Sequence, residues 1–569
     1  MFAIRSMHSK EAILALSFAL GLLAAGETAA VVDLGTYKGC AAGDGDFTVV
    51  PLAVKGKETS ETLKMAFSKR ADGTVDVYFV ERTGAVKKYD GQAKAVSTVG
   101  TVPAATGNED GLTGIATDPD FPINHYFYFS YAFQAVGDTS IHIARIPLAA
   151  DGSLDLAAEK VLIRIPSKRM QPHTGGAMQF DAYGDLWVTV GDNSSPESGP
   201  GNTADLRGGI LRIHPDDKLP SGYSIPKGNF GEHFSAKLKP TNPALSLQYA
   251  DPAKVRPEIY VKGTRNAYTL SLDPVRRWLS WGDVGPDFGA VSEENNLVKE
   301  PYFMGWPYFA GEKDVTSIYG INFAKKDRAQ PVNTSAIAGV SQLPANREPI
   351  YVREQNCAMN GPIMRYDGAN PNPGQIPPQL DRKWLVGDCN GGYGNHLLTL
   401  NAAGDSVIGD VKAFDNLHVA VLVDMQQGPD GALYYIGWQS GLFRADYKGA
   451  CKDAALLAEK TGCADPTDPA YDPKVNPAYH DQRLCGRSTA VASPALARAD
   501  WADIGAEGIT VRAQGPHNVH VTDLRGREVF SARGEGPRSY GLPKWEPGIY
   551  QVSVRTRDGW IVNRVSRLP

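Results

Sequence analysis

The chain has 569 residues, 42% of them apolar and 21% charged, with a formal net charge of -5. That slight acidity removes any electrostatic case for nucleic acid as a partner. Sixty glycines and 39 prolines favour strands and turns over long helices, and the length suits one large body with small additions.

Residues 1–30 come first. Arg5, His8 and Lys10 precede the apolar run AILALSFALGLLAAG, and small residues follow. This order predicts a secretory signal peptide, too short in its apolar part to span a bilayer comfortably. The chain is therefore expected to be exported, to periplasm, cell surface or medium, with no membrane span. Six cysteines fit an oxidising destination, and no CxxC pair suggests zinc. The expected pairs are Cys357–Cys389, Cys463–Cys485 and Cys40–Cys451, although spacing leaves other pairings open.

Residues 31–448 repeat one phrase. DGTVDVYFVERTGAVKKYDG is a turn, an alternating strand, a turn and another strand, and GPDGALYYIGWQSGLFRADY repeats that order. HYFYFSYAF with IHIARIPL, GDLWVTVGD with GGILRIHPD, RRWLSWGDVG, and RKWLVGDCNGG with HLLTLNAAGD lie between. A lone hairpin cannot bury its face or protect its edges. Radial repetition does both, so the pattern predicts an all-β chain built on a six-bladed β-propeller, with DFTVVPLAV closing the ring against the last blade. Residues 449–506, rich in Pro, Asp and Cys, read as a disulfide-stapled linker with too little apolar material for a core. Residues 507–569 alternate strongly and predict a small β-sandwich.

Three stretches could carry chemistry. His173 stands between Pro172 and Thr174, before Gly175-Gly176 and an apolar strand ending in Gly-Asp. A histidine held on such a turn can act as a general base, because its ordinary pKa lies near neutrality; a solvated loop histidine is the bland alternative. Arg265-Asn266 offers a planar cationic fork beside an amide, or a plain surface turn. WGDVGPDFGAVSEENNL followed by FMGWPYFAGEKD concentrates Asp283, Asp287, Glu293, Glu294 and Asp314 among turn residues. Calcium favours several oxygens in that kind of setting, although the spacing is not an EF-hand and a solvated acidic loop is the alternative.

The stretches NEDGLTGIATDPDF, HTGGAMQFDAYGDLWVTVGD, GGILRI, YSIPKGNF, GTRNAYTLSLDP, GDVGP with SEEN, GWPYFAGEKD and GPDGALYYI occur in this order. Together they resemble the glucose/sorbosone dehydrogenase family, secreted sugar dehydrogenases that use pyrroloquinoline quinone (PQQ). The resemblance implies oxidation of an aldose at its C1 hydroxyl, with His173 as catalytic base and Glu109, Arg265 and Asn266 at the cofactor. It implies one Ca2+ on the carbonyls of Gly285 and Pro286. A second, structural Ca2+ would use Glu294, Asp314 and the carbonyls of Met304, Ala310 and Glu312. The sequence departs from the pattern where later blades supply cations to the cofactor. The lysine's place falls near Asn390, and the arginines' place falls near His418, leaving Lys168 or Arg169 as helpers of Arg265.

The competing expectation is a non-catalytic carbohydrate-binding propeller that keeps structural calcium, with Trp187, Trp281, Trp306 and Tyr308 stacking on sugar rings. A hydrolase is disfavoured, because no GxSxG motif occurs. VHVTDLRGREVFSA and LPKWEPGIYQVSVRTRDG resemble the C-terminal sorting domains of type-nine-secreted bacterial proteins, which would make the secretion machinery a partner. The electron acceptor is not legible.

Overall fold

The structure is a computed structural model. It describes residues 31–567 other than 38–39, 197–198, 287–291, 312, 315–338, 355–356, 369, 371, 418, 420, 452–501, 505–507, 513–515, 524–527, 542–547 and 557–558. Among the described residues no helix is long and apolar enough to cross a membrane.

Among the described residues from Thr62 to Tyr447 the chain makes six antiparallel sheets of four or five strands in succession, besides the two-stranded pair Phe309–Ala310 and Lys313–Asp314. The first holds Thr62–Lys69, Val75–Glu81, Ala85–Asp90 and Ala95–Thr101. The second holds Leu112–Thr117, Tyr126–Ala135, Asp138–Pro147 and Lys160–Pro166. Gly175–Phe180, Leu186–Val190, Gly209–Pro215 and Ile259–Lys262 form the third. Ala267–Leu272, Leu279–Asp283, Ser292–Val298 and Tyr351–Glu354 form the fourth. The fifth runs Ala358–Ile363, Lys383–Asp388, His396–Leu400 and Val407–Lys412. In the sixth, Leu422–Gln427, Leu433–Gly437 and Gly441–Tyr447 take Phe47–Val54 as their outer strand.

The first strand of each sheet packs on the first strand of the next, and Leu422–Gln427 packs back on Thr62–Lys69. At that last seam the Met65 amide donates to Asp424 Oδ2 at 3.1 Å and Gln426 Nε2 donates to the Met65 carbonyl at 2.9 Å. Burial declines outward in the first and fifth sheets. Val75–Glu81 and Ala358–Ile363 are buried throughout, whereas Ala95–Thr101 and Val407–Lys412 are largely solvated. The inner strands therefore lose the polar alternation of a half-exposed strand, because both faces meet protein. The architecture is propeller-like.

The expected outer strand DFTVVPLAV does pair with the last sheet, from Phe47↔Tyr447 to Val54↔Gly441 with a bulge at Leu52. Just beyond that ladder Cys40 is bonded to Cys451, with Cα atoms 5.8 Å apart and 411 residues between them in the chain. Cys357 is bonded to Cys389. The expected Cys463–Cys485 pair lies outside the described residues. Two helices, Phe230–Leu238 and Pro243–Ala250, sit between the third and fourth strands of the third sheet and pack on each other. The second begins where Asn242 Oδ1 accepts the Leu245 amide, with Pro243 at the first helical position.

At the C-terminal end, Ala502–Ile504, Gly508–Val511 and Arg538–Gly541 form one sheet. Pro516–Asp523, Glu528–Glu535, Gly548–Thr556 and Gly559–Arg567 form another. Ile509, Val511 and Tyr540 from the first pack with Val519, Val521, Val552 and Val554 from the second. Ala502–Ile504 falls inside the stretch expected to be linker; three residues are too few to show alternation, and only pairing reveals the strand.

The second sheet holds a pH-sensitive histidine. His142 is buried, stacked on Phe133 at 4.3 Å, with Nδ1 3.1 Å from the Tyr131 hydroxyl. Burial, aided by the neighbouring Arg164, pushes its pKa down to about 4, and Asp138 only partly opposes this. The unfolded chain therefore binds the extra proton first, and stability is lost as pH falls from about 6.5 to about 4. The expected loss is about 3 kcal/mol, absent from His142→Gln, and is read by comparing the two proteins' urea midpoints at pH 7 and pH 4.

Candidate active site

His173 sits on the turn that enters the third sheet, at φ 68°, a conformation L-residues adopt at a cost of roughly 1 kcal/mol or more. Three contacts hold it there. Its amide donates to Glu109 Oε2 at 2.8 Å, and its carbonyl accepts the Asn193 amide at 3.1 Å. Its Nδ1 lies 2.6 Å from Asp192 Oδ1. Gly175 and Gly176 follow at φ 66° and 105°. A Cβ on Gly176 would stand 2.3 Å from the Thr113 hydroxyl, so only glycine lets the two inner strands approach so closely.

Asp192 closes the apolar strand Leu186–Val190 two residues beyond its end and is fully buried. Its Oδ1 also accepts the Ser194 amide at 2.8 Å, and its Oδ2 accepts Trp306 Nε1 at 2.8 Å. A buried carboxylate on Nδ1 fixes the imidazole as the tautomer that leaves Nε2 free to take a proton, and it stabilises the cation that results. The sequence reading passed over Asp192. The available signal was the Gly-Asp pair that follows Leu186–Val190, the second strand after the histidine turn.

The fourth sheet brings Arg265 and Asn266 to the same place. The Asp192 amide donates to the Arg265 carbonyl at 2.8 Å, and Asn266 Nδ2 donates to Glu109 Oε2 at 3.3 Å. Both residues are buried, and Asn266 Oδ1 has no partner among the described residues. Arg265 Nη1 donates to the Val284 carbonyl at 2.8 Å, and its guanidinium lies 5.8 Å from the Trp306 ring centroid. Asp283 accepts the amides of Arg265 and Asn266. Burial, with Glu294 close by, raises its pKa well above the carboxylate range. His173, Glu109, Arg265 and Asn266 are thus one cluster, and Gly285-Pro286 follows directly on the carbonyl that Arg265 grips.

Of the expected second metal set, Glu294 Oε1 accepts the Gly311 amide at 2.5 Å, which brings it to the Ala310-Gly311 turn. Met304 is buried, with its amide on the Lys262 carbonyl. The Asp314 backbone pairs with Phe309, and Glu312 lies outside the described residues. No cluster of three or more histidine, cysteine, aspartate or glutamate side chains that could hold a metal occurs among the described residues. Carbonyl oxygens would have to complete any calcium shell.

Arg169, an expected helper of Arg265, pairs with buried Asp110 at 3.1 Å. One expectation needs correction. Trp187, Trp281, Trp306 and Tyr308 form no sugar-stacking surface. All are at most 4% exposed, packed into the core or, for Trp306, behind Asp192. Lys168 remains exposed, with its amide on Asn193, and His418 lies outside the described residues.

The glucose/sorbosone dehydrogenase family model matches residues 61–231, the segment that contains Glu109, His173 and Asp192. Over that segment the chain is similar to the glucose/sorbosone dehydrogenase family. Aldose sugar dehydrogenase YliI of Escherichia coli is 22% identical over 58% of this chain and 74% of its own length. Quinoprotein glucose dehydrogenase B of Acinetobacter calcoaceticus is 25% identical over 44% of this chain and 51% of its own. The matches cover 51% to 74% of the curated relatives, under two thirds for two of the three. The solved apo-form of the soluble aldose sugar dehydrogenase from Escherichia coli superposes with a TM-score of 0.50 at 18% identity. That alignment spans 70% of this chain and 99% of the other, and it supports the fold alone.

Proposed function

We propose that this chain is a member of the glucose/sorbosone dehydrogenase family, an exported sugar dehydrogenase that oxidises the C1 hydroxyl of an aldose, with PQQ and Ca2+ as its cofactors. The observation that carries the proposal is the convergence of the His173–Asp192 pair on Arg265 and on Asn266, whose Oδ1 is buried with no partner among the described residues. A buried amide oxygen left bare is costly unless a ligand meets it. Arg265, Asn266 and Glu109 would hold the quinone. Gly285 and Pro286 would offer carbonyls to one Ca2+, and Glu294, Asp314, Met304, Ala310 and Glu312 would hold the other.

When bound, PQQ supplies the acceptor for the hydride leaving C1. The chain's own part is to orient and to move a proton. His173 Nε2 takes the hydroxyl proton while Asp192 steadies the imidazolium, and Gly175-Gly176 lets the strand behind the base pack closely on Thr113 and Gly191.

The wider reading follows the same family. The six sheets are blades of a closed six-bladed propeller. Residues 1–30 are a signal peptide, 449–506 a stapled linker, and 507–569 a sorting-type sandwich that addresses the protein through the secretion machinery. PQQ's three carboxylates meet one guanidinium here, since Asn390 and the His418 region bring neither lysine nor arginine. The affinity is accordingly expected to lean on Arg265.

Absorbance titration with PQQ in millimolar calcium tests this. Saturable binding is expected, weakened at least tenfold by Arg265→Ala, the loss of a charge-assisted fork. No binding at micromolar PQQ would overturn the quinoprotein reading and leave a carbohydrate-binding propeller.

A further inference from the structure

We infer that Trp306 is a positioning residue of this site: its indole N–H fixes the carboxylate that orients His173, while its ring faces the guanidinium of Arg265. The inference rests on His173 being the base and extends that reading to the segment after the acidic loop.

Asp192 receives three donors among the described residues. Two of them, His173 Nδ1 and the Ser194 amide, share Oδ1. Oδ2 has Trp306 Nε1, which arrives from 114 residues away in the chain. Asp192 is fully buried, so without the indole that oxygen would be a desolvated charge with no donor. Rotation of the carboxylate toward a new donor would carry Oδ1 off the imidazole and free the ring.

Trp306 is itself held in place. Its amide donates to the Gly263 carbonyl at 3.0 Å, and the Met304 amide donates to the Lys262 carbonyl at 2.8 Å. Gly263 lies two residues before Arg265, so one short stretch carries both the anchor of the indole and the guanidinium facing it. Gly305, at φ 105°, lets the chain turn there; a Cβ would meet Asn346 Nδ2 at 3.1 Å and Phe309 Cβ at 3.2 Å. A few residues on, the Gly311 amide grips Glu294. The segment thus links the acidic loop to the base through one hydrogen bond and to Arg265 through one ring face.

Trp306→Phe in the full chain keeps the aromatic mass and deletes the N–H. The first readout is the downfield His173 Nδ1–H resonance of the protein without cofactor, assigned by its loss in Asp192→Asn. It is expected to shift or broaden in Trp306→Phe. The second uses PQQ, Ca2+ and glucose, where kcat should fall about tenfold while the sugar KM stays within about twofold, as expected for a lost positioning bond. An unmoved imidazole resonance, or an unchanged kcat, overturns the inference. A moved resonance in a protein that oxidises no aldose upholds the coupling and removes the proposed activity instead. If Trp306→Phe does not fold, the wild-type indole 1H–15N resonance of Trp306 decides. It must move in His173→Ala, and a stationary signal overturns the inference.

Discussion

His173→Ala is expected to lower kcat/KM for aldose oxidation about a thousandfold while the protein still binds PQQ. The size follows from what the imidazole does. Removing a hydroxyl proton as hydride departs needs a base, and among the described residues no other histidine is placed against Arg265 and Asn266. Quinone binding should survive, because the contacts expected to hold it come from Arg265, Asn266 and Glu109. Asp192→Asn should approach the same loss with the histidine still present, since an amide NH2 facing Nδ1 turns the ring toward the wrong tautomer. Dye-linked steady-state kinetics, paired with the PQQ titration, separates the two effects. Activity of His173→Ala within tenfold of wild type would place the base elsewhere and remove the reason for the Glu109–His173–Asp192 arrangement.

Much of the architecture was legible from the hairpins. VDVYFVE with AVKKYD, and LYYIG with GLFRADY, are second and third strands of their sheets, where a clear turn joins two strands with apolar alternation. The inner strands were not legible. GGAMQF, LTGIAT and AMNGPI are glycine-bearing segments buried on both faces, so they show no polar alternation. The outer strand VIGDVK was missed for the opposite reason, being so solvated that little distinguishes it from a loop. At the site, His173, Arg265 and Asn266 stood out through local composition and family resemblance. Asp192 and the indole N–H of Trp306 did not, because their partnership spans 114 residues. The supposed sugar platform failed for a related reason: aromatic residues in sheet-rich chains serve packing first.

Gly191→Ala is expected to cost about a hundredfold in kcat/KM and several degrees in thermal midpoint, through a contact far too close to relax locally. A Cβ on Gly191 would lie 2.1 Å from the His173 carbonyl oxygen and 2.5 Å from its carbon. Both are backbone atoms, so no rotamer change relieves the clash. The turn itself must move, although it is tied by the His173 amide to Glu109 and by the His173 carbonyl to the Asn193 amide. The Gly191 carbonyl also accepts the Gly208 amide at 3.0 Å, so shifting Gly191 instead disturbs the neighbouring strand. Overpacking of this kind costs roughly 1–3 kcal/mol, and displacing a base by about 1 Å costs about a hundredfold in rate. Gly409→Ala is the control, since its Cβ would meet only the Thr399 side chain at 3.3 Å and 3.4 Å. Kinetics and thermal melts on the two variants check the argument. A Gly191→Ala enzyme as active as Gly409→Ala would show that the histidine turn tolerates displacement, and the geometry that makes His173 a base would lose its force.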